Sequence, residues 1–151
     1  MDNESKLVID TLKKYFDLSV TIFGKERREG YDFEVTKRDP MYGGAGVVYM
    51  VSLFEKGELV NNRIGIYMVL MNKGDEAGFH EHGSRKEQEL YMVAHGVGKY
   101  TERVGEKEVR SVILKKGAVT AVQGDNNYHS LINVGDEPLI VFVVTTNEKQ
   151  N

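Results

Sequence analysis

The chain has 151 residues, a formal net charge of -3 and 40% hydrophobic side chains, enough for one domain with a real core. The slight acidity gives no electrostatic case for nucleic acid, no apolar run reaches the length of a membrane span, and the charged amphipathic start does not read as a secretory signal. The absence of cysteine excludes disulfides, thiol catalysis and thiolate metal sites, and is compatible with a reducing cytoplasm.

Val8, Leu12, Tyr15 and Phe16 share one face at helical spacing, which predicts an amphipathic helix over residues 4–16. LSVTIF (Leu18 to Phe23) and YDFEVT (Tyr31 to Thr36) alternate like strands on either side of the charged turn KERREG. A loop follows at residues 37–46, KRDPMYGGAG, with Pro40 and three glycines. From Val47 the pattern is almost wholly β. Strands are predicted near 47–54, 62–71, 77–82, 88–95, 98–103, 108–114, 118–122, 129–134 and 138–145. Turn signals separate most of them, and sixteen glycines against two prolines fit short strands joined by tight turns. Such even spacing argues for a β-sandwich or barrel. In the strand around RIGIYMVLM, Ile64, Ile66, Met68 and Leu70 form one apolar face. The other face carries Arg63, Gly65, Tyr67 and Val69, and is read as facing solvent or a partner rather than a cavity.

The chemistry concentrates between Gly74 and Gly96. His80 and His82 are two residues apart, so on a strand both imidazoles aim into one space. A divalent cation is a good reason for two such rings on an inward face. Glu89 and His129 complete a candidate ligand set of nitrogen and oxygen donors. His95 sits beside Gly96 at a turn and is read as a rim residue. Tyr91 shares strand parity with Glu89, so its hydroxyl either reaches a ligand and serves in proton transfer or packs in the core. Asn133 is expected to tie a turn through backbone hydrogen bonds.

Written as a template, the first stretch is Gly74, five residues, His80, one residue, His82, six residues, Glu89, six residues, Gly96. The second is Gly117, five residues, Gln123, then Asp125, His129, three residues, Asn133. This resembles the two motifs of the cupin superfamily, over roughly residues 43–146, including the lead-in strand Gly43 to Phe54 and the closing hairpin Asn133 to Val144. The resemblance implies an all-β jelly-roll barrel, the double-stranded β-helix, with a short N-terminal α-helix outside it. It implies His80, His82, Glu89 and His129 as ligands of one divalent transition metal (Fe, Mn, Ni, Zn or Co), with positions left open for a small molecule. Three departures stand out. The gap from His82 to Glu89 is longer than the family's, and Glu87 fits the shorter gap but then misses Gly96. Gln123 stands where proline is common and Asp125 where glycine is. His129 comes one residue late.

The longer gap places Arg85 and Lys86 in an enlarged loop at the barrel mouth, as contacts for an anionic substrate or as a solvated charged loop. Gln123 is a candidate for hydrogen bonding a bound ligand. Residues 1–40 are read as an extension, a packing or dimer arm, and 41–151 as the cupin domain. The expectation is a cytoplasmic homodimer that binds a small molecule, with neither nucleic acid nor membrane as partner. Its function is read as a metal-dependent enzyme, an isomerase, lyase or dioxygenase, acting on a small polar carboxylate or sugar phosphate. The alternatives are a non-catalytic metabolite sensor and a metal-free storage protein.

Overall fold

The computed structural model describes residues 1–18, 33–53, 64–122 and 125–147. One helix, α1 (Asn3–Lys13), precedes ten strands: β1 (Val35–Arg38), β2 (Val48–Ser52), β3 (Ile64–Leu70), β4 (Glu76–His80), β5 (Glu87–His95), β6 (Val97–Val104), β7 (Lys107–Lys115), β8 (Val119–Val122), β9 (Asn127–Asn133) and β10 (Leu139–Asn147). They form two antiparallel sheets, ordered β1-β2-β3-β10-β5-β8 and β4-β9-β6-β7. The predicted jelly-roll architecture with an N-terminal helix is the observed one.

Alternation decides what the sheets enclose. Along β5, Glu89, Tyr91 and Val93 are buried while Gln88, Leu90 and Met92 are exposed. The inward residues of both sheets, among them Met68, Leu70, Val93, Leu131 and Val141, make one apolar core. Burying each such side chain stabilises the fold by roughly 1.5–3 kcal/mol. Among these apolar residues β4, β5 and β9 also bury the polar side chains His80, Glu89 and His129.

The second face of β3 is neither open to solvent nor lining the cavity. Val69 and Tyr67 lie beneath α1, whose Val8, Ile9 and Leu12 pack with Tyr49, Val51 and Ile140 on the outside of the six-stranded sheet. Eleven residues are too few for a stable isolated helix, so this packing carries α1. Asp2 caps its N-terminus by accepting from the Ser5 amide at 2.7 Å. Glu4 ties it down, accepting from the Tyr49 hydroxyl at 2.5 Å and pairing with Lys37 at 2.8 Å.

Several sequence boundaries differ, three of them with consequences for the site or the packing. The helix ends at Lys13 rather than at residue 16, and Tyr15 instead stacks on His95 with ring centroids 3.8 Å apart. Lys37 and Arg38, read as loop, belong to β1, where they pair with Tyr49 and Val48. The strand through His80 stops there, leaving His82 outside it. Glu81 accounts for the last: its carboxylate accepts from the Ser84 amide and hydroxyl, and the Arg85 amide bonds the His82 carbonyl at 3.1 Å. Together these fold Gly83–Arg85 into a 3-10 turn that absorbs the long gap before Glu89. All of the predicted strand at Leu18 to Phe23 except Leu18, and likewise Arg63 and Gln123, lie outside the described residues.

Candidate metal centre

His80 at the end of β4 and His129 on β9 are direct cross-strand partners. Glu89, from β5 of the opposite sheet, faces them across the barrel. His82 comes in from the turn after β4. All four are buried, and one donor atom from each lies within 4.8 Å of all the others. The sequence thus named the members of the cluster, although His82 reaches it by a turn and not by strand alternation.

Each imidazole is held by its outer nitrogen. His80 Nδ1 donates to the Gly78 carbonyl at 2.8 Å. His82 Nδ1 donates to Glu87 Oε2 at 3.0 Å. His129 Nδ1 meets the Tyr100 hydroxyl at 3.2 Å. A neutral ring protonated at Nδ1 presents a bare Nε2, and here all three Nε2 atoms point at one another. His129 Nε2 is 2.9 Å from His80 Nε2 and 3.4 Å from Glu89 Oε2. His82 Nε2 is 2.8 Å from Glu89 Oε2, yet neither atom has a partner in hydrogen-bond geometry among the described residues. Two buried polar atoms so close and not hydrogen bonded cost about 1–3 kcal/mol each, unless something between them takes both lone pairs. Donors bonded to one ion at about 2.1 Å stand about 3 Å apart. The donor set therefore fits a divalent cation, and hydrogen-bonded outer nitrogens are the usual support of metal-ligating histidines.

Burial governs the proton affinities. It pushes His129 down to about 2, with the neighbouring His80 and His82 adding to the effect. It lowers His80 as well. Burial pulls His82 down too, but the Glu89 and Glu87 carboxylates outweigh it and the net shift is upward. Tyr91 is fully buried, stacked on His129 at 5.3 Å, and held far above its ordinary value by burial and by the Glu89 carboxylate. Its hydroxyl stays protonated, so it suits hydrogen-bond donation and not proton abstraction.

The other candidates fall around this cluster. Arg85 sits on the Nδ1 side of His82, its guanidinium 3.2 Å from Nδ1 and 3.1 Å from Glu87 Oε2. Lys86 is exposed, with a left-handed φ of +52° that ends the 3-10 turn. His95 is away from the cluster and pairs with Glu137 at 2.9 Å. Asn133 ties its turn as expected, donating to the Leu70 and Glu137 carbonyls and accepting from the Gly135 amide.

Three supporting residues were not singled out for these roles. Glu87 is the orienter of His82, and its place in the shorter family gap was the signal. Tyr100 supports His129; only its inward parity pointed that way. Tyr42 stacks on His80, centroids 4.0 Å apart, from the loop before β2. Its φ of +50° is strained for a bulky residue, a feature that gathers at functional sites. The backbone holds it there: the Gly78 amide bonds the Met41 carbonyl at 3.0 Å, and a Cβ on Gly44 would lie 2.3 Å from the Glu76 carbonyl oxygen.

No family model matches the chain, and no curated protein matches it. Solved structures do. One from Thermotoga maritima, described as a predicted oxalate decarboxylase, is 26% identical with a TM-score of 0.65, over 77% of this chain and 94% of its own. A cupin domain from Schizosaccharomyces pombe is 19% identical with a TM-score of 0.53, over 67% of this chain and 61% of its own. The chain has the cupin fold. A double-stranded β-helix protein from Klebsiella pneumoniae agrees, 20% identical with a TM-score of 0.53, over 75% of this chain and 85% of its own. Within this fold four buried His and Glu side chains could hold a metal. Among the described residues no helix is long and apolar enough to cross a membrane.

Proposed function

We propose that this cupin is a metal-dependent enzyme whose His80, His82, Glu89 and His129 hold one divalent transition metal and whose substrate is a small polar metabolite bearing a carboxylate or a phosphate. The observation that carries the reading is the convergence of three Nε2 atoms and one carboxylate oxygen, each imidazole anchored at its outer nitrogen. Imidazole and carboxylate donors suit Fe, Mn, Co, Ni or Zn better than Ca or Mg, which prefer oxygen alone. When bound, the ion supplies a Lewis acid with positions open to a substrate oxygen.

The chain's own residues supply the rest. Glu87 and the Gly78 carbonyl, which only accept, fix the tautomers that leave Nε2 of His82 and His80 bare, and Tyr100 orients the His129 ring. Tyr91 acts as a neutral donor beside Glu89. Lys86, exposed and uncommitted to the cluster, is the cation for an anionic group at the mouth, with Gln123 as a further substrate contact. Arg85 serves the same end less directly, being engaged with Glu87. The T. maritima protein's description as a decarboxylase of a small carboxylate supports that half of the substrate class. Residues 1–40 are taken as a packing extension on a domain spanning 41–151, in a cytoplasmic homodimer.

The test is metal content. Protein purified without chelators is expected to carry one divalent metal per chain, and the double variant His80→Ala/His129→Ala none. Full occupancy in that variant would show the ligand set to be wrong. Iron with oxygen uptake on a metabolite panel selects a dioxygenase; another metal with turnover and no oxygen uptake selects an isomerase or lyase. Metabolite binding without turnover selects a sensor.

A further inference from the structure

A cavity of about 190 Å³ opens beside the cluster, lined by His129, Tyr100, Val122, Tyr128 and Glu102, among others. Glu102 on β6 is the direct cross-strand partner of His129 on β9, as His129 is of His80. Cross-strand partners share a face with Cβ atoms about 5 Å apart, so Glu102 stands on the inward face in one row with two members of the metal cluster. Tyr100, two residues before it on β6, lines the same cavity, and its hydroxyl touches His129 Nδ1. Among the described residues no hydrogen bond or ion pair engages the Glu102 carboxylate. Arg110, its partner on the other side, belongs to β7 and is exposed.

We infer that Glu102 selects the ligand: it accepts a hydrogen bond from a hydroxyl of the molecule held at the His80–His82–Glu89–His129 centre. The inference rests on the metal-site reading above and narrows its substrate class to hydroxylated anions, such as 2-hydroxy acids or sugar acids and sugar phosphates. A carboxylate is an acceptor with no hydrogen to give. A hydroxyl beside the metal-bound oxygen satisfies it with a charge-assisted hydrogen bond. A ligand made only of acceptors does the opposite. Oxalate, which carries no hydrogen at neutral pH, sets its oxygens against the Glu102 carboxylate, and like charges at contact disfavour it. Arg103, which lines the same cavity, supplies a cation for the anionic end of the same ligand. Glu102 thus distinguishes this cupin's preference from that implied by the T. maritima protein's description.

The probes are Mn(II), glycolate and oxalate. Titrating chelator-treated protein with Mn(II) comes first and tests the metal reading alone; a wild type that takes up no Mn(II) sinks that reading and this inference with it. Calorimetry then gives the affinities of Mn(II)-loaded protein for glycolate and for oxalate. In Glu102→Ala the ratio of glycolate to oxalate affinity is expected to fall about tenfold or more, the worth of one charge-assisted hydrogen bond, while Mn(II) uptake is unchanged. Glu102→Gln, of the same size, keeps the fold if the alanine variant does not, and shifts the ratio the same way because its amide donates to oxalate. An unchanged ratio with Mn(II) bound normally, or loaded wild type that binds no glycolate, overturns the assignment.

Discussion

Glu87 and Tyr100 act on the centre without touching its middle. Glu87 meets His82 at the nitrogen facing away from the cluster, and with Arg85 it forms a short chain of charge-assisted contacts. Glu87→Gln replaces that carboxylate by a group that can present its amide to Nδ1 and so favour the wrong tautomer. Outer partners of this type change metal affinity by roughly 10–100-fold, and a loss of that size is expected here in a competitive chelator titration. Tyr100→Phe removes the partner of His129 Nδ1 and is expected to act in the same direction but more weakly, since a neutral hydroxyl orients less than a carboxylate. If both variants bind metal as wild type does, the outer nitrogens are not what positions the rings. Of these partners only Glu87 left a mark in the sequence, as the alternative to Glu89 at the shorter family gap and not as a supporter. The members of the cluster were legible, because alternation pairs His80 with His82 and near-family spacing adds Glu89 and His129, although His82 arrives by a turn. Which side chain backs each ring depends on cross-strand register and on a turn, and neither leaves a periodic trace.

At the scale of elements, the strands were legible because burial alternates along them, as on β5 from Glu87 to Val93. Their ends were not. The end of β4 is set by the Glu81 carboxylate capturing Ser84, a local side-chain competition that a hydrophobic pattern does not register. The role of α1 was half legible: its apolar stripe called for a cover, and the cover is the outer face of β2, β3 and β10. Leu12 is fully buried in that contact. Leu12→Ala is expected to cost about 2–5 kcal/mol in urea unfolding while leaving metal stoichiometry unchanged, since α1 and the centre lie on opposite faces of the sheet. The loop carrying Tyr42 makes the contrary case. Gly44→Ala drives a Cβ against backbone at Glu76, so loop or strand must shift and Tyr42 moves with it. Loss of both stability and metal affinity is expected, and wild-type affinity in that variant would detach Tyr42 from the centre.

For the molecule as a whole, the cluster links stability to pH and to metal in one direction. In the metal-free protein His80 and His129 have lowered proton affinity in the fold. The unfolded chain binds protons at these positions below about pH 6.5 and the folded chain does not, so stability falls on acidification by up to ~1.4 kcal/mol per pH unit for each ring. His82 is shifted upward and works the other way: its contribution is present at low pH and disappears as pH rises through its raised value. Two lowered rings against one raised ring leave a net loss between pH 7 and pH 5. Metal steepens this loss, because its ligands must be unprotonated, so the ion's contribution disappears over the same interval. At neutral pH, metal at 100 times its dissociation constant adds about 2.7 kcal/mol, and each kcal/mol raises the midpoint of a chain this size by roughly 2–4 °C. Melting curves with metal and with chelator should therefore differ by about 5–11 °C at pH 7 and converge towards pH 5. Curves that coincide at pH 7, or stay equally separated down to pH 5, would mean that no ion is held by these histidines.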